Sequence, residues 1–311
     1  MKMTKREFLK RAPGLASLAG LPLRAAAARY QLGCQTLPYR GLPLSRALEG
    51  IRKAGYRYVM PYSTHQGKPV LVPALTPSER AGLKRQFKDA GLEPFMMFAR
   101  LGASPRNADG MKAYLSELDL AAEFGMKIVI DTGPWYYTKF PNVPKRAVDW
   151  EKECDEFCAA LEKGVRHAES IGVTITLKPH TGITATGAAC LRLVKRIVSD
   201  NFKICWDAGN VSFYEGINPD PDLADLAPFV KAVCIKDHLG GRAEANFPVP
   251  GSGQIDHELM FRTLFAGGFS GPLAVERVDG KGGPVTPEIL DERITQAYNF
   301  LAPLLEKTAR A

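Results

Sequence analysis

No run of about 18 apolar residues occurs in the chain, so no segment has the length and apolarity of an ordinary membrane-spanning helix. Histidine is scarce, with five in 311 residues. The six cysteines lack the clustered spacing of a structural zinc site. Cys154 and Cys158 stand one helical turn apart, where a disulfide would be poorly oriented and would cross-link little. The others sit in apolar strand-like runs, so most read as small core residues. No Gly-x-Gly-x-x-Gly follows the first strand, which removes the usual signature of a dinucleotide site. Glycine (29) and proline (23) are dispersed rather than clustered, which excludes disorder and collagen and implies many turns between short elements.

The net charge of +8 suggests a polyanion partner only at first sight. The leader through Ala28 carries Lys2, Lys5, Arg6, Lys10, Arg11 and Arg24 against Glu7 alone. That accounts for five of the eight charges, and the remaining three give no electrostatic reason to expect nucleic acid. Residues 1–28 read as an export signal. A basic stretch to Arg11 precedes the weakly apolar Ala12 to Leu23, and the alanine run Ala25 to Ala28 offers a cleavage site. Thr4 to Lys10 is similar to a twin-arginine signal with Lys5 in place of the first arginine; a Sec signal and an amphipathic N-terminal helix are the alternatives. No cysteine follows the apolar stretch, so no lipid anchor is expected. The reading is an exported protein, periplasmic or extracellular, with a single domain over residues 29–311.

From Tyr30 onward short apolar runs alternate with helical patterns. Strands are expected at Tyr30–Thr36, Tyr56–Met60, Pro94–Phe98, Lys127–Ile130, Val173–Leu177, Phe202–Trp206, Lys231–Ile235 and Leu273–Val275. Helices are expected between them. One opens at Thr76-Pro77-Ser78-Glu79, a capping box with proline at its first position. Others cover Leu44–Ala54, Asp109–Phe124, Trp150–Ser170, Ala188–Val198, Asp222–Phe229, His257–Ala266 and Glu288–Leu305. Eight β/α units of this kind, with several strands continuously apolar, predict an α/β fold of the (β/α)8 TIM barrel type. An open doubly wound sheet is the alternative. Pro61–Leu75 and Trp135–Val148 are long loops at what would be the C-terminal mouth, where such barrels place their chemistry.

Polar residues collect at the strand ends: Gln35, Asp131, Lys178, His180, Asp207, Lys236, Asp237, His238 and Glu276. An ionised group ending an apolar strand must be paired or hydrated. The second half then becomes recognisable. Asp207-Ala208-Gly209-Asn210, Ile235-Lys236-Asp237, Pro250 to Asp256 and Gly268 to Glu276 resemble the xylose isomerase-like TIM barrels, more narrowly the sugar phosphate isomerase/epimerase group. The resemblance spans roughly Tyr30 to Leu305.

That resemblance implies one divalent metal (Mn, Mg, Zn or Co) held by Glu, Asp, His and Glu on strands five to eight. Asp207 and Glu276 match. Lys178 stands where the strand-five Glu is expected, and Cys234 where the strand-seven His is expected. The strand-two acid gives way to Val59-Met60-Pro61. Asp207, Glu276, Lys178 and Lys236 sum to zero without a metal, which argues against one. Against this, His180 lies two residues beyond Lys178 and forms with Asp207 and Glu276 a second ligand set, to which Cys234 or His238 adds a fourth donor.

Two mechanisms follow. In one, a metal on His180, Asp207 and Glu276 polarises a sugar carbonyl, and a carboxylate or lysine moves a proton through an enediolate. In the other there is no metal: Lys178 stabilises the enediolate and Glu276 or Asp207 is the base, or Lys178 with a lowered pKa forms a Schiff base. Lys178, Asp207, Glu276 and Lys236 are the expected catalytic residues. His180, Asn210, Asp237, His238 and Gln35 are the expected substrate-binding ones. Trp135, Tyr136 and Tyr137 either stack on a sugar or pack a loop, and Gly251-Ser252-Gly253 is either a ligand loop or a plain turn. The leading expectation is an exported isomerase, epimerase or related lyase acting on a sugar or keto-sugar. A non-catalytic carbohydrate-binding barrel is the alternative, and an apurinic endonuclease fits poorly with so few histidines. No arginine cluster marks a phosphate pocket.

Overall fold

The structure is a computed structural model that describes residues 30–99, 108–144, 149–282 and 285–310. The expected export signal over residues 1–28 lies outside the described residues. Eight strand positions follow the chain: β1 (Tyr30–Gln35), β2 (Tyr58–Met60), β3 (Glu93–Pro94 and Met96–Phe98, interrupted at Phe95), β4 (Ile128–Asp131), β5 (Thr174–Leu177), β6 (Phe202–Trp206), β7 (Val230–Ile235) and β8 (Gly271–Val275). Neighbours pair in parallel in the order β2, β1, β8, β7, β6, β5, β4. The two pieces of β3 close the ring. Glu93–Pro94 pairs with β2, and Met96–Phe98 pairs with β4.

Nine α-helices are described: α1 (Leu44–Lys53), α2 (Pro77–Asp89), α3 (Ala108–Glu123), α4 (Trp150–Ile171), α5 (Gly187–Val194), α6 (Ala208–Glu215), α7 (Leu223–Leu226), α8 (His257–Ala266) and α9 (Pro287–Arg310). The capping box at Thr76 and Glu79 is present in both directions. Gly172 ends α4 in the left-handed conformation that glycine takes without strain. Three expectations shift. The helix expected through Val198 stops at Val194; Ile197 still packs into the core, while Val198 is exposed. The helix expected over Asp222–Phe229 shortens to one α turn flanked by 3-10 turns, the second of them carrying Pro228. Helix α6 was not expected, because its eight residues carry no clear apolar stripe.

Alternation along the strands decides which side chains enter the barrel. Ile175, Leu177, Ile204, Trp206, Val233, Ile235, Leu273 and Val275 pack outward against the helices. Cys205, Ala232, Cys234 and Ala274 pack inward with Met60, Phe95, Met96, Ile128 and Ile130. The inward parity continues to the strand ends, at Lys178, Asp207, Lys236 and Glu276. Gly33 on β1 makes room for Phe95, since a Cβ there would lie 2.5 Å from the Phe95 ring and 2.8 Å from the Tyr58 carbonyl.

Candidate active site

Four charged side chains converge where β5 to β8 end. Lys178 Nζ lies 2.8 Å from Asp207 Oδ2 and 2.6 Å from Glu276 Oε2. Lys236 Nζ lies 3.1 Å from Asp207 Oδ2 and 3.2 Å from Glu276 Oε1. Two ammonium groups and two carboxylates thus alternate in a ring of zero net charge, and all four are buried. Each charge has two opposite neighbours, which is what burial of an ion demands. The ring rests on Cys234 and Cys205, whose sulfurs are 3.7 Å apart. All six cysteines are free and buried.

The ring sets its own ionisation. Burial would lower the Lys178 ammonium, but Asp207 and Glu276 outweigh it and hold the group well above its ordinary range. Burial would raise the Glu276 carboxyl, but Lys178 and Lys236 outweigh it and hold it far below the usual carboxylate range. Burial pushes the Cys234 thiol up, so it stays neutral. A Schiff base needs a neutral Lys178, and its surroundings push it the other way.

Above the ring opens a cavity of about 530 Å³. Lys178, Lys236, Glu276, His180 and Asn210 reach it, with Trp135, Phe213, Tyr214 and Phe247 among its aromatic walls and Arg40 and Arg277 at one side. His180 Nε2 lies 3.1 Å from the Tyr214 hydroxyl, and its ring packs against Tyr214 and Trp135. Asn210 donates its amide to the Pro179 carbonyl at 2.7 Å, tying α6 to the end of β5. Asp207 lies behind the cavity wall; its Oδ1 accepts from the Asn210 backbone N–H and caps α6. It holds the two lysines in place and does not itself line the cavity.

Several expected binding residues have other work. Asp237 is fully buried, and its two oxygens accept four backbone N–H groups, from His238, Gly251, Gly253 and Ile255, at 2.9–3.1 Å. It anchors the Gly251–Gly253 loop and has no free oxygen for substrate. His238 bonds the Glu244 carbonyl through Nε2, again within the loops. Gln35 is fully buried beneath the mouth, with neither end of its amide bonded among the described residues. None of the three lines the cavity. Trp135 does, whereas Tyr137 is buried under Arg242, which donates to its hydroxyl.

A metal was tested against these residues. The side chains whose ligand atoms lie within 4.8 Å of one another are Asp207, Cys234 and Glu276, and His180 is not among them. The space between the two carboxylates is taken by the Lys178 ammonium, with Lys236 beside it. A dication there would add two positive charges to a neutral ring at contact distance from two ammonium groups. The residues do not fit a divalent ion.

Tyr214, Phe213, Phe247, Arg40 and Arg277 escaped the sequence reading. Only Arg277 carried a signal, as the residue directly after Glu276. Tyr214 and Phe213 sit on the unexpected α6, and Phe247 and Arg40 come from distant loops.

No curated protein sequence matches the chain. Solved structures share its fold at low identity. D-psicose 3-epimerase from Clostridium cellulolyticum H10, determined with D-tagatose, has a TM-score of 0.72 at 14% identity, covering 88% of this chain and 99% of that one. A xylose isomerase-like TIM barrel protein from Mycobacterium smegmatis, in complex with magnesium, has a TM-score of 0.70 at 16% identity, covering 90% and 97%. D-allulose 3-epimerase from a Methylomonas species, in complex with D-allulose, has a TM-score of 0.67 at 16% identity, covering 89% and 97%. Residues 48–303 match the model of one protein family, and with the eight-stranded ring and the charged strand ends this places the chain in the xylose isomerase-like TIM barrel family.

Proposed function

We propose that the chain is an exported sugar isomerase- or epimerase-type enzyme that moves a proton next to a sugar carbonyl without a divalent ion. One observation carries the reading: the Lys178 ammonium, fixed between Asp207 and Glu276, at the floor of an aromatic-walled cavity. A fixed positive charge in a dry site stabilises a developing enediolate oxygen, which is the work a cation does there. Glu276 is the only carboxylate among the described residues that line this cavity. In the proposed step it takes the proton from the carbon beside the carbonyl, and the electron pair moves onto the carbonyl oxygen. Protonated Glu276 releases its pairing with Lys178 as the new oxyanion takes that pairing up. Return of the proton to the former carbonyl carbon, with the neighbouring hydroxyl proton passing to the enediolate oxygen, completes isomerisation; a proton given by a second group to the opposite face of the original carbon completes epimerisation. His180, held against the Tyr214 hydroxyl on the cavity wall, is the second group placed to shuttle a proton.

One observation favours a second reading, a barrel that binds a sugar without turning it over. A carboxyl held as low as that of Glu276 is a weak base, and acid–base catalysts work best near the operating pH. Ketose incubation in D2O, followed by NMR, separates the two. The enzyme reading expects deuterium to enter beside the carbonyl, undiminished by EDTA and lost in Glu276→Gln. Sugar binding with no exchange would establish the binder.

A further inference from the structure

The cavity is not electrically balanced. Lys178 and Lys236 are matched by Asp207 and Glu276. Arg277, stacked 4.1 Å over the Phe247 ring, gives its Nε and Nη2 to Asp279 and leaves Nη1 without a partner among the described residues. Arg40, whose side chain is exposed to solvent at the cavity edge, has no side-chain hydrogen bond or ion pair among the described residues. Among the described residues no acidic side chain lines the space besides Glu276 and Asp279. A smaller recess of about 200 Å³ adjoins the main cavity, and the two share Leu37, Arg40, Glu276 and Arg277. Both arginines therefore line the junction of the two spaces, and the charged side chains around it sum to one positive charge.

The geometry points to a sugar acid as the ligand: a monosaccharide-type ring against Trp135 and Tyr214, with one carboxylate at the junction of Arg40 and Arg277. This deepens the proposed function and rests on it, since it assumes that the cavity takes a sugar. Guanidinium groups match carboxylate geometry and give stronger hydrogen bonds than neutral donors. The surplus of one charge suits a monoanion better than a phosphate monoester, which carries close to two charges at neutral pH.

The test is calorimetric titration of the full chain at low ionic strength with matched pairs: D-galacturonate against D-galactose, D-glucuronate against D-glucose, and D-mannuronate against D-mannose. D-glucose 6-phosphate is the phosphate arm. At least one uronate is expected to bind about tenfold tighter than its neutral partner, the size of one charge-assisted hydrogen bond. In Arg40→Gln that ratio should fall toward one. Equal binding of acid and neutral sugar overturns the sugar-acid inference but leaves the sugar reading standing. So does a preference that survives Arg40→Gln, or tighter binding of the phosphate. Binding of none of these compounds overturns the sugar reading of the cavity and this inference with it.

Discussion

Replacing Lys178 by methionine tests the central argument, because the side chain keeps an unbranched apolar stem of similar length and loses the charged, hydrogen-bonding ammonium end. The ring of Lys178, Asp207, Lys236 and Glu276 then changes from neutral to one net negative charge. Both carboxylates lose their shortest partner, at 2.8 and 2.6 Å, and share Lys236 at 3.1 and 3.2 Å. Removing one member of a buried ion pair costs about 3–5 kcal/mol, a large part of a total stability on the order of 5–15 kcal/mol. Equilibrium urea denaturation at pH 7 measures it. Lys178→Met with Glu276→Gln restores neutrality and should recover much of the loss, giving a coupling of more than about 1 kcal/mol in the double-mutant cycle.

The pH dependence follows with its sign. Glu276 has a folded pKa below its unfolded value, so its contribution is present above the unfolded value and is lost as pH falls through the folded one. Lys178 has a folded pKa above its unfolded value; its contribution is present below the unfolded value and is lost as pH rises through the folded one. In Lys178→Met the Glu276 carboxyl loses a cation and its folded pKa rises toward the unfolded value, so the stability lost between neutral and acid pH should be smaller than in the wild type. A cost below about 1 kcal/mol with no coupling, the size of an exposed pair, would refute the reasoning. So would a wild-type midpoint that drops on adding EDTA.

Three further outcomes are expected. Gly209→Ala places a Cβ 2.3 Å from Lys236 Cγ and 3.0 Å from its backbone oxygen, so it should cost about 1–3 kcal/mol, measured by denaturation, and weaken sugar binding through Lys236. Asp237→Asn puts an amide NH2 against backbone N–H donors and should cost about 1–3 kcal/mol, with hydrogen exchange at Gly251 and Gly253 accelerated. Thr76→Ala removes an exposed cap and should lower stability by about 1 kcal/mol with sugar binding unaltered, which calorimetry checks.

The four charged residues were legible because three rules converge on them. An apolar strand ends in a charge, strand ends form the mouth of the barrel, and a buried charge needs partners. Strand parity also carried a signal that was not used. Cys234 and Lys236 face inward, so Asp237 must face the loops, and its four backbone hydrogen bonds follow from that. Parity fails at His180, because β5 ends at Leu177 and Pro179 intervenes; the ring turns to Tyr214 instead of the carboxylates. Arg40 and Arg277 lie more than two hundred residues apart, and no local pattern announces that they border one space. The order of strands and helices was legible, but α6 has too little periodicity to read, and the helices expected to Val198 and over Asp222–Phe229 end sooner.

The broken third strand gives the ring a seam. Between β2 and β3 the closure rests on the amides of Glu93 and Phe95, bonded to the carbonyls of Arg57 and Val59 at 2.9 and 3.2 Å. The Phe95 ring bridges the break, against Gly33 and stacked on Tyr58. The charged ring hangs from the other half, β5 to β8, where Lys178 and Glu276 each bond their backbone to the neighbouring strand at 2.8 Å. The seam between β2 and β3 is therefore expected to open before the half that carries the charges. Amide exchange at Glu93 and Phe95 that outpaces exchange at Lys178 and Glu276 is the signature of that order.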